Sequence, residues 1–383
     1  MGEGLDGLRV ALVLGTSAGG VGRHVRSVAA GLVDRGARVL VCGPASTEES
    51  FGFTAVGARF AVVDLADRPR PVRDARAVVR LRSLVRGADV VHAHGLRTGG
   101  LAVAARARTA PGPLRLSRGG PPLVVTLHNA APAGGGAAGA VYAALERVVA
   151  RGADRVLGVS PDLEERMRAL GARRVGRALV PAPPPRERPD AAARAGLRAE
   201  LLGAEDRPLV VTVARLAAQK GLPTLLDAAA GWAGHSPPPL VALAGDGPLE
   251  GELRDRIAAE GLPVRLLGRR ADVPVLMAAA DVVVLPSVWE GQPLVVQEAL
   301  RAGRPLVATE VGGVPDLVGP EAGLLVPPGA PEALRAAVER VLGDRDLAAR
   351  LGEAAARRAA ALPTEGDAVD QLAALYIELA ARG

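Results

Sequence analysis

Short apolar runs recur along the whole chain, separated by longer stretches in which apolar residues return with a helical period. Residues 8–14 are apolar but for Arg9 and predict a strand buried on both faces. Residues 22–36 predict a helix that glycine closes. Further strands are expected at residues 38–42, 60–65, 89–92, 123–127 and 155–159, with helices between them, among them 72–86 and 138–150. Alternation of this kind argues for a parallel sheet with helices on both faces.

The pattern breaks at residues 181–189, where five prolines exclude both a helix and a central strand. A helix is expected over residues 190–202. Strands then resume at 209–213, 240–244, 264–267, 281–285, 305–308 and 323–326, and residues 331–383 are helical apart from Pro363. No short-period repeat is visible, which removes a solenoid. The expected fold class is therefore α/β, with two Rossmann-like αβα domains over residues 1–185 and 186–383.

Composition narrows the picture. A chain of 383 residues has room for two or three domains. Hydrophobic residues make up 49% against 2% aromatic, and apolar runs throughout exclude a disordered chain. Cys42 is the single cysteine, so no internal disulfide can form, and its place at the end of an apolar run reads as an inert buried thiol. Residues 1–6 carry two acids and no apolar core, unlike a secretory signal, and no stretch of about 18 apolar residues predicts a membrane span. The expected location is cytoplasmic. Residues 1–180 hold 26 arginines against 14 acids, whereas residues 181–383 hold 21 Lys or Arg against 27 acids. The basic first half fits an anionic partner, such as an anionic acceptor or the inner face of a membrane touched peripherally; a solvated arginine-rich surface is the alternative. Nucleic acid is not an expected partner, because the arginines lack interleaved aromatics.

Candidate chemistry concentrates at strand-to-helix turns, where open α/β sheets bind ligands. The strongest segment is LPSVWEGQPLVVQEALRAGRPLVATEVGGV, from Leu285 to Val314. An apolar strand ends at Pro286, a polar turn follows, and Pro293 suits a first helical turn. Glu290 lies in the turn and Glu298 in the helix, two carboxylates able to accept from paired hydroxyls. Free N–H groups at Gly291, Gln292, Leu294 and Val295 suit an anion or sugar hydroxyls. In VTVARLAAQKGLPTLLDA, Arg215 and Lys220 precede a helix opened by Gly221, a plausible diphosphate clamp. In ALAGDGPL, Gly245 and Gly247 flank Asp246 at another such turn.

These segments resemble the family 4 retaining glycosyltransferases, which have the two-domain GT-B fold with a cleft between facing domains. The resemblance covers most of the chain and is firmest over residues 208–328. Glu290 and Glu298 match the family's Glu-x7-Glu segment. Arg215, Leu216, Lys220 and Gly221 match Arg-Leu-x-x-x-Lys-Gly, and Gly245, Gly247 and Pro248 match Gly-x-Gly-Pro. Two departures stand out. Gln292 and Pro293 replace an aromatic-containing segment, and the prolines at 181–185 replace an asparagine–glycine turn.

Lys220 is the only lysine beside 46 arginines, and Asn129 the only asparagine, so both survive a strong composition bias inside candidate motifs. In the first half, LGTSAGGVGRHV joins the first strand to the first helix, and its glycines would let backbone approach a ligand. The second strand lacks the terminal acid that a dinucleotide site needs for ribose. DVVHAHG sets His92 and His94 at a strand end, with no evident third ligand for a metal, and VVTLHNA sets His128 at another. His24 and His235 read as surface residues. Ser160 or Asp162 is expected to cap a helix over 161–171. Asp344 and Asp346 read as a helix start, and no metal is expected to hold the diphosphate.

The resemblance implies sugar transfer from a nucleotide-diphosphate sugar to a lipid, glycan or small-molecule acceptor, without a metal or other cofactor. It implies that Gly19 and Gly20 lie over the donor phosphates and that Arg215 and Lys220 stabilise the leaving group. Glu290 orients the sugar, Glu298 holds the ribose, and His128 contacts the sugar as a catalytic group. His92, His94 and Asn129 fall on the acceptor side, and the last helices, about 364–383, pack back on the first domain. Alternatives are a nucleotide-sugar epimerase, a phosphorylase, or a catalytically silent sugar-nucleotide-binding protein.

Overall fold

The computed structural model describes residues 5–17, 19–65, 70–109, 116–131, 136–184, 187 and 189–382. Residues 1–4, and Pro185, Arg186 and Arg188 of the proline-rich segment, lie outside the described residues. The chain divides into a first unit, Met1–Pro181 with Pro363–Gly383, and a second unit, Ala182–Leu362.

The first unit contains strands β1 (Arg9–Leu14), β2 (Arg38–Gly43), β3 (Arg59–Val62), β4 (Val90–His94), β5 (Ala107–Thr109), β6 (Leu116–Arg118), β7 (Leu123–Leu127), β8 (Arg155–Gly158) and β9 (Val175–Arg177). Its helices are α1 (Gly20–Asp34), α2 (Ala45–Phe51), α3 (Pro71–Val85), α4 (Leu96–Arg106), α5 (Gly136–Gly152) and α6 (Pro161–Ala169). Its main sheet runs β3-β2-β1-β4-β7-β8-β9, with parallel neighbours throughout, and β5 and β6 form a separate antiparallel pair.

The second unit contains α7 (Ala191–Leu202), α8 (Leu222–Ala230), α9 (Glu250–Glu260), α10 (Val273–Ala279), α11 (Leu294–Arg301), α12 (Val314–Val318), α13 (Pro331–Gly343) and α14 (Arg345–Ala360). Its strands are β10 (Leu209–Val213), β11 (Leu240–Ala244), β12 (Val264–Gly268), β13 (Val282–Leu285), β14 (Leu306–Thr309) and β15 (Leu324–Val326). These form a parallel sheet in the order β12-β11-β10-β13-β14-β15. The last helix, α15 (Glu365–Ala380), belongs to the first unit and starts with a Thr364–Asp367 capping box. It packs on α1, where Arg35 pairs with Asp370 at 2.7 Å.

Every residue of β4, β7 and β11 is buried, because helices cover both faces of a parallel sheet; this is why β11 reads as an unbroken apolar run and why His92 and His94 in β4 are dry. Helices show the complementary single stripe: α1 buries Val25, Val28, Ala29 and Leu32. Local chemistry sets the ends. Asp190 accepts from Ala193 N at the start of α7, and Asp344 from Leu347 N at the start of α14, the helix start expected there.

Three expectations need correction. The strand expected at 60–65 ends at Val62. The strand expected at 89–92 runs instead from Val90 to His94. Ser160 precedes α6, but its hydroxyl makes no capping bond and is buried without a partner among the described residues. Cys42 is buried, which pushes its thiol up to about 12. Among the described residues no helix is long and apolar enough to cross a membrane.

Candidate functional site

In the second unit β10 and β13 are neighbours, so the loops leaving their carboxyl ends meet. Lys220, at the end of the β10 loop, donates from Nζ to Glu290 Oε1 at 2.5 Å. Ser287 Oγ donates to the same oxygen at 2.7 Å. Glu290 is 5% exposed, so this carboxylate is compensated by a cation and a hydroxyl in a largely dry position. Oε2 has no hydrogen-bond partner among the described residues.

Hydrogen bonds tie the two loops to each other and to the end of β14. Val288 N donates to Gln219 O at 2.8 Å, Gln219 Nε2 to Trp289 O at 2.9 Å, and Thr309 Oγ1 to Ser287 O at 2.5 Å. Gly221 makes the closest approach. Its φ is +60°, and a Cβ there would sit 1.9 Å from the Pro286 carbonyl oxygen, so only glycine lets β10's loop rest on β13's end.

Arg215 leaves β10 on the same side. It is exposed, and its guanidinium makes no hydrogen bond or ion pair with a described residue. Gly245, at φ +139°, presses on Ala214, where a Cβ would lie 1.8 Å from the carbonyl oxygen. The next residue, Asp246, pairs with Arg269 at 2.8 Å. That bond, with a smaller contribution from the Arg215 charge, holds its carboxyl below the usual carboxylate range. Gly291 is buried and Gln292 half-buried; Pro293 precedes α11, Leu294 opens it, and Glu298 lies within it, half-buried. The structure thus brings Lys220 and Glu290 into contact and sets Arg215, Gly245 and Glu298 on the flanking turns and helix.

In the first unit the carboxyl ends of β4 and β7 gather histidines. His94 Nδ1 lies 3.1 Å from His128 Nε2. His92 spans from Tyr376 OH, 2.5 Å from Nδ1, to Thr126 Oγ1, 2.7 Å from Nε2. His24, expected at the surface, is instead 7% exposed, edge-on to His94 and His128 with ring centroids 5.9 and 5.7 Å away. Its signal was present in the sequence: His24 shares the i, i+4, i+8 stripe of Val28 and Leu32 on the apolar face of α1. Asn129 follows His128 and is exposed. Gly19 precedes α1 with open space where a Cβ would be, and Gly20 is the first helical residue. Its neighbour Gly22 is needed for packing, since a Cβ would fall 2.1 Å from the Phe51 ring. His235 is half exposed, as expected.

Burial disfavours the imidazolium and lowers all four clustered histidines: His24 to about 4, His92 to about 3, and His94 and His128 well below the usual range. For the last three, neighbouring histidines add a smaller effect of the same sign. Among the described residues no group of three or more His, Cys, Asp or Glu is arranged to hold a metal ion.

Comparison with known proteins agrees with this architecture. Residues 19–183 match the family described as Glycosyl transferase 4-like domain, and residues 194–358 match Glycosyl transferases group 1. Over 242 residues the chain is 36% identical to the alpha-D-kanosaminyltransferase of Streptomyces kanamyceticus, a stretch covering 61% of this chain and 63% of that protein. Over 160 residues it is 32% identical to the sulfoquinovosyl transferase SQD2 of Arabidopsis thaliana, covering 40% of this chain and 30% of that protein. The matches therefore span less than two thirds of these relatives. Among solved structures, Anabaena Alr3699/HepE in complex with UDP and glucose superposes with a TM-score of 0.79 at 22% identity, over 97% of this chain and 100% of that one. Two parallel αβα units, each matching its own glycosyltransferase family across most of its length, place the chain among the GT-B glycosyltransferases, with a 4-like first unit and a group 1 second unit.

Proposed function

We propose that this chain transfers a sugar from a nucleotide-diphosphate sugar to a lipid, glycan or small-molecule acceptor, with retention at the anomeric carbon. The second unit is the donor side and the first the acceptor side. The observation that supports this most is the Lys220–Glu290 pair at the carboxyl ends of two adjacent strands. When the anomeric C–O bond breaks, negative charge builds on the diphosphate. Lys220 has two further N–H donors beyond the one given to Glu290, and the exposed Arg215 fork suits phosphate oxygens. Glu290 Oε2 is the acceptor for sugar hydroxyls, and Glu298 for the ribose. On the first unit, His128 is the group assigned to the transferred sugar. The two relatives' names specify different sugars, a kanosaminyl and a sulfoquinovosyl group, so the donor is a matter for measurement.

Binding is read most directly by thermal shift with UDP, GDP, ADP and their common sugar conjugates. One nucleotide series is expected to raise the midpoint, since a ligand at about 100 times its Kd adds about 2.7 kcal/mol to the native state. No shift from any of them at millimolar concentration would overturn the donor-site assignment.

The same reading places the enzyme in the cytoplasm, with peripheral contact to anionic membrane through its basic first unit. A single cysteine supports the compartment. Helix α3 supports the contact: Val72 and Val79 are 67% and 69% exposed, among the exposed residues Arg73, Arg76 and Arg80, while Asp74 is occupied by Arg97 at 2.8 Å. Co-sedimentation with vesicles is expected to rise with the anionic lipid fraction and to drop for Val79→Asp. Pelleting that ignores lipid charge would remove the proposal.

A further inference from the structure

Four of the chain's five histidines form the cluster of the first unit, and none of the four makes an ion pair with a described residue. A neutral imidazole carries one ring proton, so in each His–His contact the position of that proton decides which nitrogen can serve a ligand. Burial keeps these rings neutral near pH 7.

The hydrogen-bond inventory restricts the proton positions. His94 Nδ1 and His128 Nε2 are 3.1 Å apart, so one donates and the other accepts. His94 Nε2 is buried and has no partner among the described residues. Were His128 to donate from Nε2, His94 would carry its own proton on Nε2, as a buried N–H with nothing to receive it. Were His94 to donate from Nδ1, its Nε2 would be a bare lone pair, and no N–H would be orphaned. Buried unpaired N–H groups are the rarer and costlier of the two. His92 does not disturb this arrangement. Both its nitrogens face hydroxyls, of Tyr376 and Thr126, which donate or accept as needed, and it meets His94 through ring packing, with centroids 4.2 Å apart.

We propose that His94 is a positioning residue that sets the tautomer of His128: it donates from Nδ1 to His128 Nε2, so that His128 carries its proton on Nδ1 and offers an N–H donor to a substrate oxygen. His24, edge-on to both rings, restrains their rotation. The assignment of the substrate as a sugar donor rests on the function proposed above; the tautomer does not.

The test is long-range 1H–15N correlation on the full chain labelled with 15N-histidine, at pH 7.5 without ligand. The expected pattern for His128 is a protonated Nδ1 and an unprotonated Nε2. The reverse pattern in the wild type overturns the proposal, whatever the variants do. His94→Asn keeps an amide N–H near the place of Nδ1–H and is expected to preserve both the tautomer and most of the turnover. His94→Leu removes the donor; His128 should shift towards the Nε2–H form, and kcat should fall about tenfold or more with a smaller change in KM. A folded His94→Leu protein that keeps the Nδ1–H form and its kcat would equally overturn it. If no nucleotide sugar is turned over at all, the transferase reading fails, while the wild-type spectrum still decides the role of His94.

Discussion

At pH 5 the first unit is expected to have lost its cooperative structure while the second keeps its own. His24, His92, His94 and His128 are buried and neutral in the fold, with folded pKa values below the unfolded value of about 6.5. Below that value the unfolded chain binds protons that the native state refuses. Stability is therefore complete above about pH 6.5 and falls as the pH drops towards the folded values, about 4 for His24 and about 3 for His92. At pH 5 His24 and His92, with folded values of about 4 and about 3, cost about 2 kcal/mol each, and His94 and His128 shift in the same direction; this is a large part of the stability of a domain, about 5–15 kcal/mol. The second unit has one histidine, His235, and it is half exposed.

Two probes separate the units. Far-UV circular dichroism follows both, whereas tryptophan emission comes from Trp232 and Trp289, both in the second unit. The expected result is a loss of ellipticity between pH 6.5 and 5 with unchanged tryptophan emission. His24→Phe keeps an aromatic edge against His94 and His128 but removes one titrating group, and should move the transition to lower pH. A signal that stays flat to pH 4.5 would contradict the burial of neutral histidines.

Lys220→Ala is expected to lower kcat/KM by a hundredfold to a thousandfold, about 3 kcal/mol, the scale of losing one preorganised donor to developing negative charge. Two effects combine. The diphosphate loses a cation, and Glu290 loses the partner that holds it 2.5 Å away in a position only 5% exposed. Stripping one member from a buried pair costs about 3–5 kcal/mol; because the Lys220 side chain is 22% exposed, only part of that should appear as a lower melting temperature. The alanine variant should also lose the nucleotide-dependent thermal shift. Lys220→Arg keeps the charge but replaces a compact ammonium with a planar fork, so an intermediate activity is expected. Activity within tenfold of wild type in Lys220→Ala would remove the lysine from the leaving-group role.

The central strands were legible in the sequence because strands such as β7, β10 and β11 are covered on both faces and are apolar at nearly every position. Residues 123–127, 209–213 and 240–244 have the same limits in both readings. Helix α4 was not legible. Its sequence, LRTGGLAVAAR, shows no single apolar stripe and carries two glycines. Those glycines are explained only by tertiary neighbours: a Cβ on Gly99 would fall 2.7 Å from Val125, and one on Gly100 would fall 2.2 Å from Leu145.

The candidate site divides in the same way. Motif spacing along the chain picked out Lys220, Glu290 and His128 as chemically apt residues at strand ends, since a parallel strand followed by a helix always turns at the same edge of its sheet. Which of them touch depended on strand order. Lys220 meets Glu290, seventy positions away, because β13 inserts beside β10 although β11 and β12 lie between them in sequence. His24 joins His94 and His128 because β1, which leads into α1, pairs with β4, and β4 with β7, strands far along the chain. The sequence by itself determined most of the strands and helices, the turn chemistry and the candidate site residues, all of which depend on local period and composition. Only the tertiary structure decided which charges are compensated and which histidines are dry and in contact, because burial and strand adjacency come from non-local packing.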